Sequence, residues 1–137
     1  MIAPARILVV EDEPLVAIAT LSALEASYVL CGAASTSSEA LRLATAVPPD
    51  LAIIDLQLAD GRTGVALARE LRSRFGTVCL VTTSWLPHGE RADLDAHAVL
   101  HKPYTDTDLL TAVTICLALK PGDAPVQLPD GLTLLAF

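Results

Sequence analysis

Acidic side chains, a threonine and a lysine stand at the ends of apolar runs in this chain. Glu11 and Asp12 follow the run 6–10, Asp55 follows 51–54, Thr82 ends the run 77–82, and Lys102 closely follows 98–100. If these runs are parallel strands, their carboxyl ends meet at one edge of a sheet, where ligands of open α/β sheets bind. The sequence therefore predicts that these five polar groups converge.

Converging carboxylates at Glu11, Asp12 and Asp55 require a cation. Each pair repels by roughly 4 kcal/mol at an effective dielectric constant near 20. Mg²⁺ suits such a hydrated cluster of oxygen ligands. With Lys102 and the Thr82 hydroxyl beside it, this site could receive a phosphoryl group. Asp55 is the candidate nucleophile because it stands alone at a central strand end, and its product would be an acyl phosphate.

Simpler interpretations of these residues stay open from sequence alone. Asp55 could cap a turn, Lys102 could be a solvated surface lysine, and Glu11 and Asp12 could merely begin a helix. Thr82 is adjacent to Thr83, and its choice depends on where the apolar run ends. Gly61 and Gly64 are predicted to be turn residues with positive φ.

The elements that would position these groups alternate between strands and helices. Strands are predicted at 6–10, 28–34, 51–54, 77–82 and 98–100, and helices at 14–27, from the Thr36 capping box through 44, at 65–74 and from a cap at Asp106. Parallel strands need crossover helices, so the pattern predicts a doubly wound α/β fold, a five-stranded parallel sheet with helices on both faces.

Composition limits the function classes further. A chain of 137 residues suits one domain, taken as 1–120, with a tail at 121–137 that is either a partly ordered terminus or a segment packed on its own domain or a neighbour. Nine basic against sixteen acidic residues give a net charge of −7, which argues against nucleic-acid binding. No apolar run is long enough to span a membrane. The three cysteines suit reduced thiols in a cytoplasmic protein.

Four motifs in order resemble the receiver domains of two-component response regulators. They are Val-Val-Glu-Asp-Glu-Pro at 9–14, Ile-Ile-Asp-Leu-Gln-Leu at 53–58, Val-Thr-Thr at 81–83 and His-Lys-Pro-Tyr at 101–104. The resemblance covers 6–119 and implies a flavodoxin-like strand order 2-1-3-4-5.

Residue roles follow from the same resemblance. It implies that Asp55 is the phosphoacceptor, that Lys102 pairs with the phosphoryl group and that the Thr82 hydroxyl swings towards it. Mg²⁺ would be held by Glu11, Asp12, Asp55 and the main-chain carbonyl of Gln57. A cis peptide bond is implied before Pro103.

The chain also departs from the common receiver pattern. Val99 stands where many receivers have an aromatic switch residue, and the loop after Asp55 is one residue longer than usual. Leu-Val-Thr-Thr-Ser-Trp at 80–85 resembles, imperfectly, a subgroup with a Phe-Ala-Thr-Gly-Tyr type motif. That subgroup suggests an atypical switch in a mobile segment, 84–96, within which 87–95 is at best a short helix.

The predicted function is a stand-alone receiver rather than an enzyme. It would take a phosphoryl group from a histidine kinase or phosphotransfer protein and signal to a downstream protein, often through the last two helices and the fifth strand. A homodimer is left open. The alternatives are a degenerate receiver that binds partners without phosphorylation and an aspartyl-phosphate phosphohydrolase, against which Gln57 argues because a general acid is expected there.

Overall fold

In the computed structural model, the described part of the chain forms a sheet that lies between two pairs of helices. The structure describes residues 3–84, 94–119 and 128–135. Within these ranges the sheet has the order β2-β1-β3-β4-β5-β6. Its strands are β1 (Arg6–Val10), β2 (Val29–Ala34), β3 (Leu51–Asp55), β4 (Val78–Thr83), β5 (Ala98–His101) and β6 (Leu132–Leu134). The helices are α1 (Pro14–Leu24), α2 (Ser37–Ala46), α3 (Gly64–Phe75) and α4 (Asp106–Ala118).

The five predicted strands are parallel and follow the predicted order. β1 pairs with β2 and β3, β3 with β4, and β4 with β5, all in the parallel sense. The crossovers with α1, α2 and α3 return over the sheet, and α4 packs on it after β5, so both faces are covered. The doubly wound α/β prediction is therefore confirmed. No helix among the described residues has the length and apolar character needed to cross a lipid bilayer.

Alternate residues of the buried strands face two separate cores. Leu8 of β1 and Ile54 of β3 pack with the buried residues of α2 and α3. Their neighbours Ile7 and Ile53 point the other way and pack with Leu109 of α4, among others, on the face covered by α1 and α4. This two-sided burial explains why the strands read as continuous apolar runs.

The sheet gains a sixth strand that the sequence analysis did not predict. β6 pairs with β5 in the antiparallel sense, with Leu132 opposite Leu100. Of the alternatives left open for the tail, its described part, 128–135, packs on its own domain. The rest of the tail and most of the predicted switch segment, residues 85–93, lie outside the described residues.

The predicted cap of α2 is confirmed, whereas the predicted cap of α4 is not. The Thr36 side chain accepts a hydrogen bond from the Glu39 backbone N–H at 3.2 Å. At α4, the predicted cap Asp106 is wrong, because Thr105 is the N-cap and forms a reciprocal capping box with Asp108. Asp106 is instead the first helical residue, where its charge suits the positive end of the helix.

A half-buried histidine just before β5 predicts that the free energy of unfolding depends on pH. His97 Nδ1 accepts a hydrogen bond from the Cys79 backbone N–H at 3.1 Å. Burial, and then the charge of Arg72, lower the pKa of His97 from 6.5, against the opposing effect of Asp95. The unfolded chain therefore binds this proton more tightly, and the free energy of unfolding should fall as the pH drops below about 6.5. His97→Asn keeps an acceptor without titrating, so urea unfolding at several pH values should show a shallower acid slope; an unchanged slope would contradict this account.

Candidate phosphoryl-acceptor site

Strand alternation brings the predicted site residues to one face of the sheet. Ile53, Leu80 and Leu100 belong to the core under α1 and α4. Two residues beyond each of them, at the carboxyl ends of the strands, stand Asp55, Thr82 and Lys102, which therefore share that face. Glu11 follows Val9 of β1 in the same way, at the strand end beside β3.

Lys102 lies between the two buried carboxylates. Its Nζ is 2.9 Å from an Asp55 carboxylate oxygen and 3.2 Å from one of Glu11. The two carboxylate side chains are only 8% and 5% exposed, whereas the lysine side chain is 25% exposed. A single ammonium group thus neutralises part of a doubly acidic site that water hardly reaches.

Burial and neighbouring charges shift the pKa values of Glu11 and Lys102. Burial, and then the hydrogen bond and charge of Asp55, raise the pKa of Glu11 to about 7 despite the opposing effect of Lys102. Burial alone would lower the pKa of Lys102, but the hydrogen bond and charge of Asp55 and the contribution of Glu11 raise it. The site therefore holds its lysine charged and favours additional positive charge.

A third carboxylate completes a cluster that suits a divalent ion. One oxygen from each of Glu11, Asp12 and Asp55 can be chosen so that all lie within 4.8 Å of one another. Asp12 is more exposed than the other two, so an ion there would keep waters. The Gln57 backbone N–H donates to Asp55 Oδ1 at 2.9 Å, which fixes the chain beside the cluster. The ligand role of the Gln57 carbonyl stays a prediction.

The register separates the two threonines. Thr82 is directly opposite Asp55 in the β3–β4 pair, and it is 2% exposed. Thr83 is the next residue along β4, so its side chain points to the opposite face of the sheet. Thr82 is thus the threonine that shares the face of the phosphoacceptor candidate.

Val99 occupies the core on the other face. It is fully buried and packs in the cluster under α2 and α3. Tyr104, which the sequence analysis did not assign to the site, lies instead on the face of Lys102 and joins the cluster under α1 and α4. Burial raises the pKa of Tyr104, against the effects of Lys102 and of a hydrogen bond to Thr20. Its place directly after Lys102 and Pro103 in the sequence is the signal that could have indicated a position near the site. The Lys102–Pro103 peptide bond is cis, as the resemblance implied.

The two loop glycines serve different purposes. Gly61 has a φ of +105°, as predicted, and pairs with Leu58 in a tight turn. The positive φ predicted for Gly64 is wrong, because this residue is the first of α3. Its lack of a side chain is needed for another reason: a Cβ there would lie 2.6 Å from the Asp55 carbonyl oxygen and 2.9 Å from Leu56 Cα.

Gly64→Ala is expected to disturb the site through the backbone. Since the added methyl group meets main-chain atoms rather than a flexible side chain, α3 or the end of β3 must move. Such overpacking costs about 1–3 kcal/mol. Urea unfolding should show this loss, and Gly64→Ser should lose at least as much; an alanine variant of unchanged stability would refute the close contact.

Comparison with known proteins shows which family this chain belongs to. The sequence profile of the response regulator receiver domain matches residues 7–114. This chain belongs to that family. The receiver fold agrees with solved structures: a CheY-like receiver protein from Methanospirillum hungatei superposes with a TM-score of 0.74 and 26% identity, covering 84% of this chain and 94% of that one. The PhyR receiver domain of Erythrobacter litoralis has a TM-score of 0.77 over 90% of this chain and 98% of its own, and at 23% identity it shows the fold alone.

Curated relatives of this receiver are longer proteins. The transcriptional regulatory protein PdtaR of Mycobacterium tuberculosis is 34% identical over 84% of this chain and 58% of its own length. BaeR of Escherichia coli, also named a transcriptional regulatory protein, is 32% identical over 85% of this chain and 50% of its own length. The receiver thus spans about half the length of these relatives. Receiver domains bind Mg²⁺ at an acidic pocket, and this one has a matching carboxylate cluster.

Proposed function

We propose that this receiver accepts a phosphoryl group on Asp55, with Mg²⁺, and signals through protein contacts. The observation that carries the proposal is the Asp55 carboxylate at the carboxyl end of β3, in contact with Lys102 and within the acidic cluster. A buried carboxylate of structural purpose alone would not need two further acidic groups beside it, since each adds repulsion.

The chemistry is a direct transfer between two groups. A carboxylate oxygen of Asp55 attacks phosphorus as the bond from phosphorus to the donor breaks, and that bonding pair leaves with the donor. For a phosphohistidine donor, the leaving group is an imidazole nitrogen. Lys102 faces the transferred oxygens and compensates their charge, and the hydroxyl of Thr82 offers a hydrogen bond from β4.

The carboxylate cluster would hold the divalent ion. Glu11 and Asp12 from β1 and the loop after it, with Asp55 from β3 and the Gln57 carbonyl, are the candidate ligands. When bound, Mg²⁺ supplies positive charge that neutralises the transferring oxygens and orients them. The raised pKa of Glu11 supports a preference of this site for added positive charge.

Incubation with acetyl phosphate tests the proposal. The expected product is a protein adduct that is stable in acid and labile in base, as expected of a protein acyl phosphate, and that forms only when Mg²⁺ is present. Mass spectrometry before and after base treatment detects it, with EDTA as the control. Absence of an adduct with acetyl phosphate, phosphoramidate and a panel of histidine kinases would overturn the proposed function.

A groove beside the site supports a protein as the natural phosphodonor. Leu15, Val16 and Ala19 of α1 line it together with Lys102 and Tyr104. Leu15 is 82% exposed, although the helical pattern predicts it among the apolar residues of α1. An apolar side chain left in water next to the acceptor suits contact with a donor protein. The proposed donor is therefore a histidine kinase or phosphotransfer protein, in the cytoplasm.

Leu15→Gln is expected to separate protein donors from small ones. Losing an apolar anchor of about 1 kcal/mol should slow transfer from a phosphorylated histidine kinase roughly five-fold. Transfer from acetyl phosphate should not change, because that donor buries no protein surface. Val47→Gln, at an exposed apolar residue at the end of α2, is the matched control. Equal slowing by both variants would argue against this groove as the docking site.

A second candidate function is partner binding without phosphorylation. Burial of Val99 in the core favours it, because the usual aromatic rotation has no counterpart at this position. Partner affinity measured with and without beryllofluoride distinguishes the two: affinity that depends on beryllofluoride supports the phosphorylation switch, and equal affinity supports constitutive binding.

A further inference from the structure

The tail strand β6 occupies the outer edge of β5. The His101 backbone N–H donates to the Gly131 carbonyl at 2.9 Å, and the Leu135 N–H donates to the His97 carbonyl at 2.8 Å. Leu132, between these two bonds, is 7% exposed and packs in the core under α1 and α4. β5 is therefore paired along both of its edges, although it is only four residues long.

These pairings hold the backbone directly before Lys102. In an extended chain, successive N–H groups point to opposite edges. The His101 N–H points to β6, and the Lys102 N–H donates to the Thr83 carbonyl at 2.8 Å on the side of β4. The chain thus enters Lys102 held from both sides.

The position of the ammonium group depends on that backbone. A lysine side chain has a flexible four-carbon stem, so it does not fix its own end. Its Nζ nevertheless lies at hydrogen-bonding distance from both Asp55 and Glu11. Gly131 allows the chain to turn into β6, because its φ of +82° lies in the left-handed region that favours glycine.

We propose that β6 is a positioning element for Lys102 in phosphoryl transfer. The inference rests on the proposed function. In the transfer, the bond from Asp55 to phosphorus forms as the bond from phosphorus to the donor breaks, and the donor leaves with the electron pair of that bond. Lys102 forms no covalent bond. Its contribution depends on the placement of its charge, and a displacement of 1 Å in a positioned group can cost about 100-fold in rate.

Two glycine variants test the role of the tail. Gly131→Val and Gly76→Val both put a branched side chain at a left-handed φ, but Gly76 ends α3 away from the site. We expect Gly131→Val to slow phosphorylation at saturating acetyl phosphate and Mg²⁺ about ten-fold. Gly76→Val should leave the rate within about two-fold.

A double-mutant cycle separates positioning from general loosening. If β6 acts through Lys102, adding Gly131→Val to Lys102→Met should cause no further slowing, whereas a general structural effect would slow both backgrounds alike. Thr133→Pro is the second variant, because the alternating pattern directs the Thr133 N–H at Val99. If Lys102→Met slows the reaction but Gly131→Val and Thr133→Pro both leave the rate unchanged, the inference is overturned. An unchanged rate in Lys102→Met would instead count against the proposed function.

Discussion

Asp55→Asn is expected to form no phosphoryl adduct with acetyl phosphate or with a protein donor. An amide oxygen is a poor nucleophile, and no other described carboxylate both contacts Lys102 and lies at the end of β3 opposite Thr82. Loss of the attacking group should lower the rate by at least about 10³-fold. Quantitative mass spectrometry of intact protein at several times measures it.

Asp50→Asn is the matched control for this substitution. Asp50 precedes β3 at its opposite end and pairs with Arg6 at 3.7 Å, with both side chains 46% exposed. Its amide variant should form the adduct at the normal rate. An adduct retained in Asp55→Asn would move the acceptor to another residue, and peptide mapping would then locate it.

Lys102→Met is expected to destabilise the protein strongly when no divalent ion is present. The methionine keeps most of the stem but leaves Glu11 and Asp55 without their shared cation. Removing one partner of a fully buried pair costs 3–5 kcal/mol, and we expect about 2–3 kcal/mol here because the lysine is partly exposed and Glu11 can take up a proton. Urea unfolding in EDTA measures this loss.

Added Mg²⁺ and acid should both relieve the defect. The ion replaces the missing positive charge, so its stabilisation should be larger in Lys102→Met than in the wild-type protein. Protonation of Glu11 removes part of the repulsion, so the difference between the two proteins should shrink as the pH falls below about 7. Arg74→Met is the control, since its ion pair with Glu70 is 45% exposed on both sides and contributes at most about 1 kcal/mol. Equal losses in both variants would contradict the buried-charge account.

Both predictions concern polar groups that the sequence pattern expects at one sheet edge, and the structure brings them together there. Apolar runs ending in Glu11, Asp55 and Thr82 indicate buried strands with polar groups at one sheet edge, and strand alternation then assigns each side chain to a face. The doubly wound fold follows from the same periodicity, because parallel neighbours require helical crossovers. These features are local in sequence or follow from the parallel topology.

Tertiary contacts decided the remaining features. The lysine's position between two carboxylates depends on three separate strands, and the need for Gly64 arises from the Asp55 carbonyl across a turn. β6 is a run of three residues, too short for periodicity to distinguish from any apolar terminus. It becomes a strand because β5 offers an unpaired edge and the core offers Leu132 a place to be buried. Sequence alone thus determined which groups meet at the sheet edge, whereas only the folded chain decided how the backbone that carries Lys102 is held there.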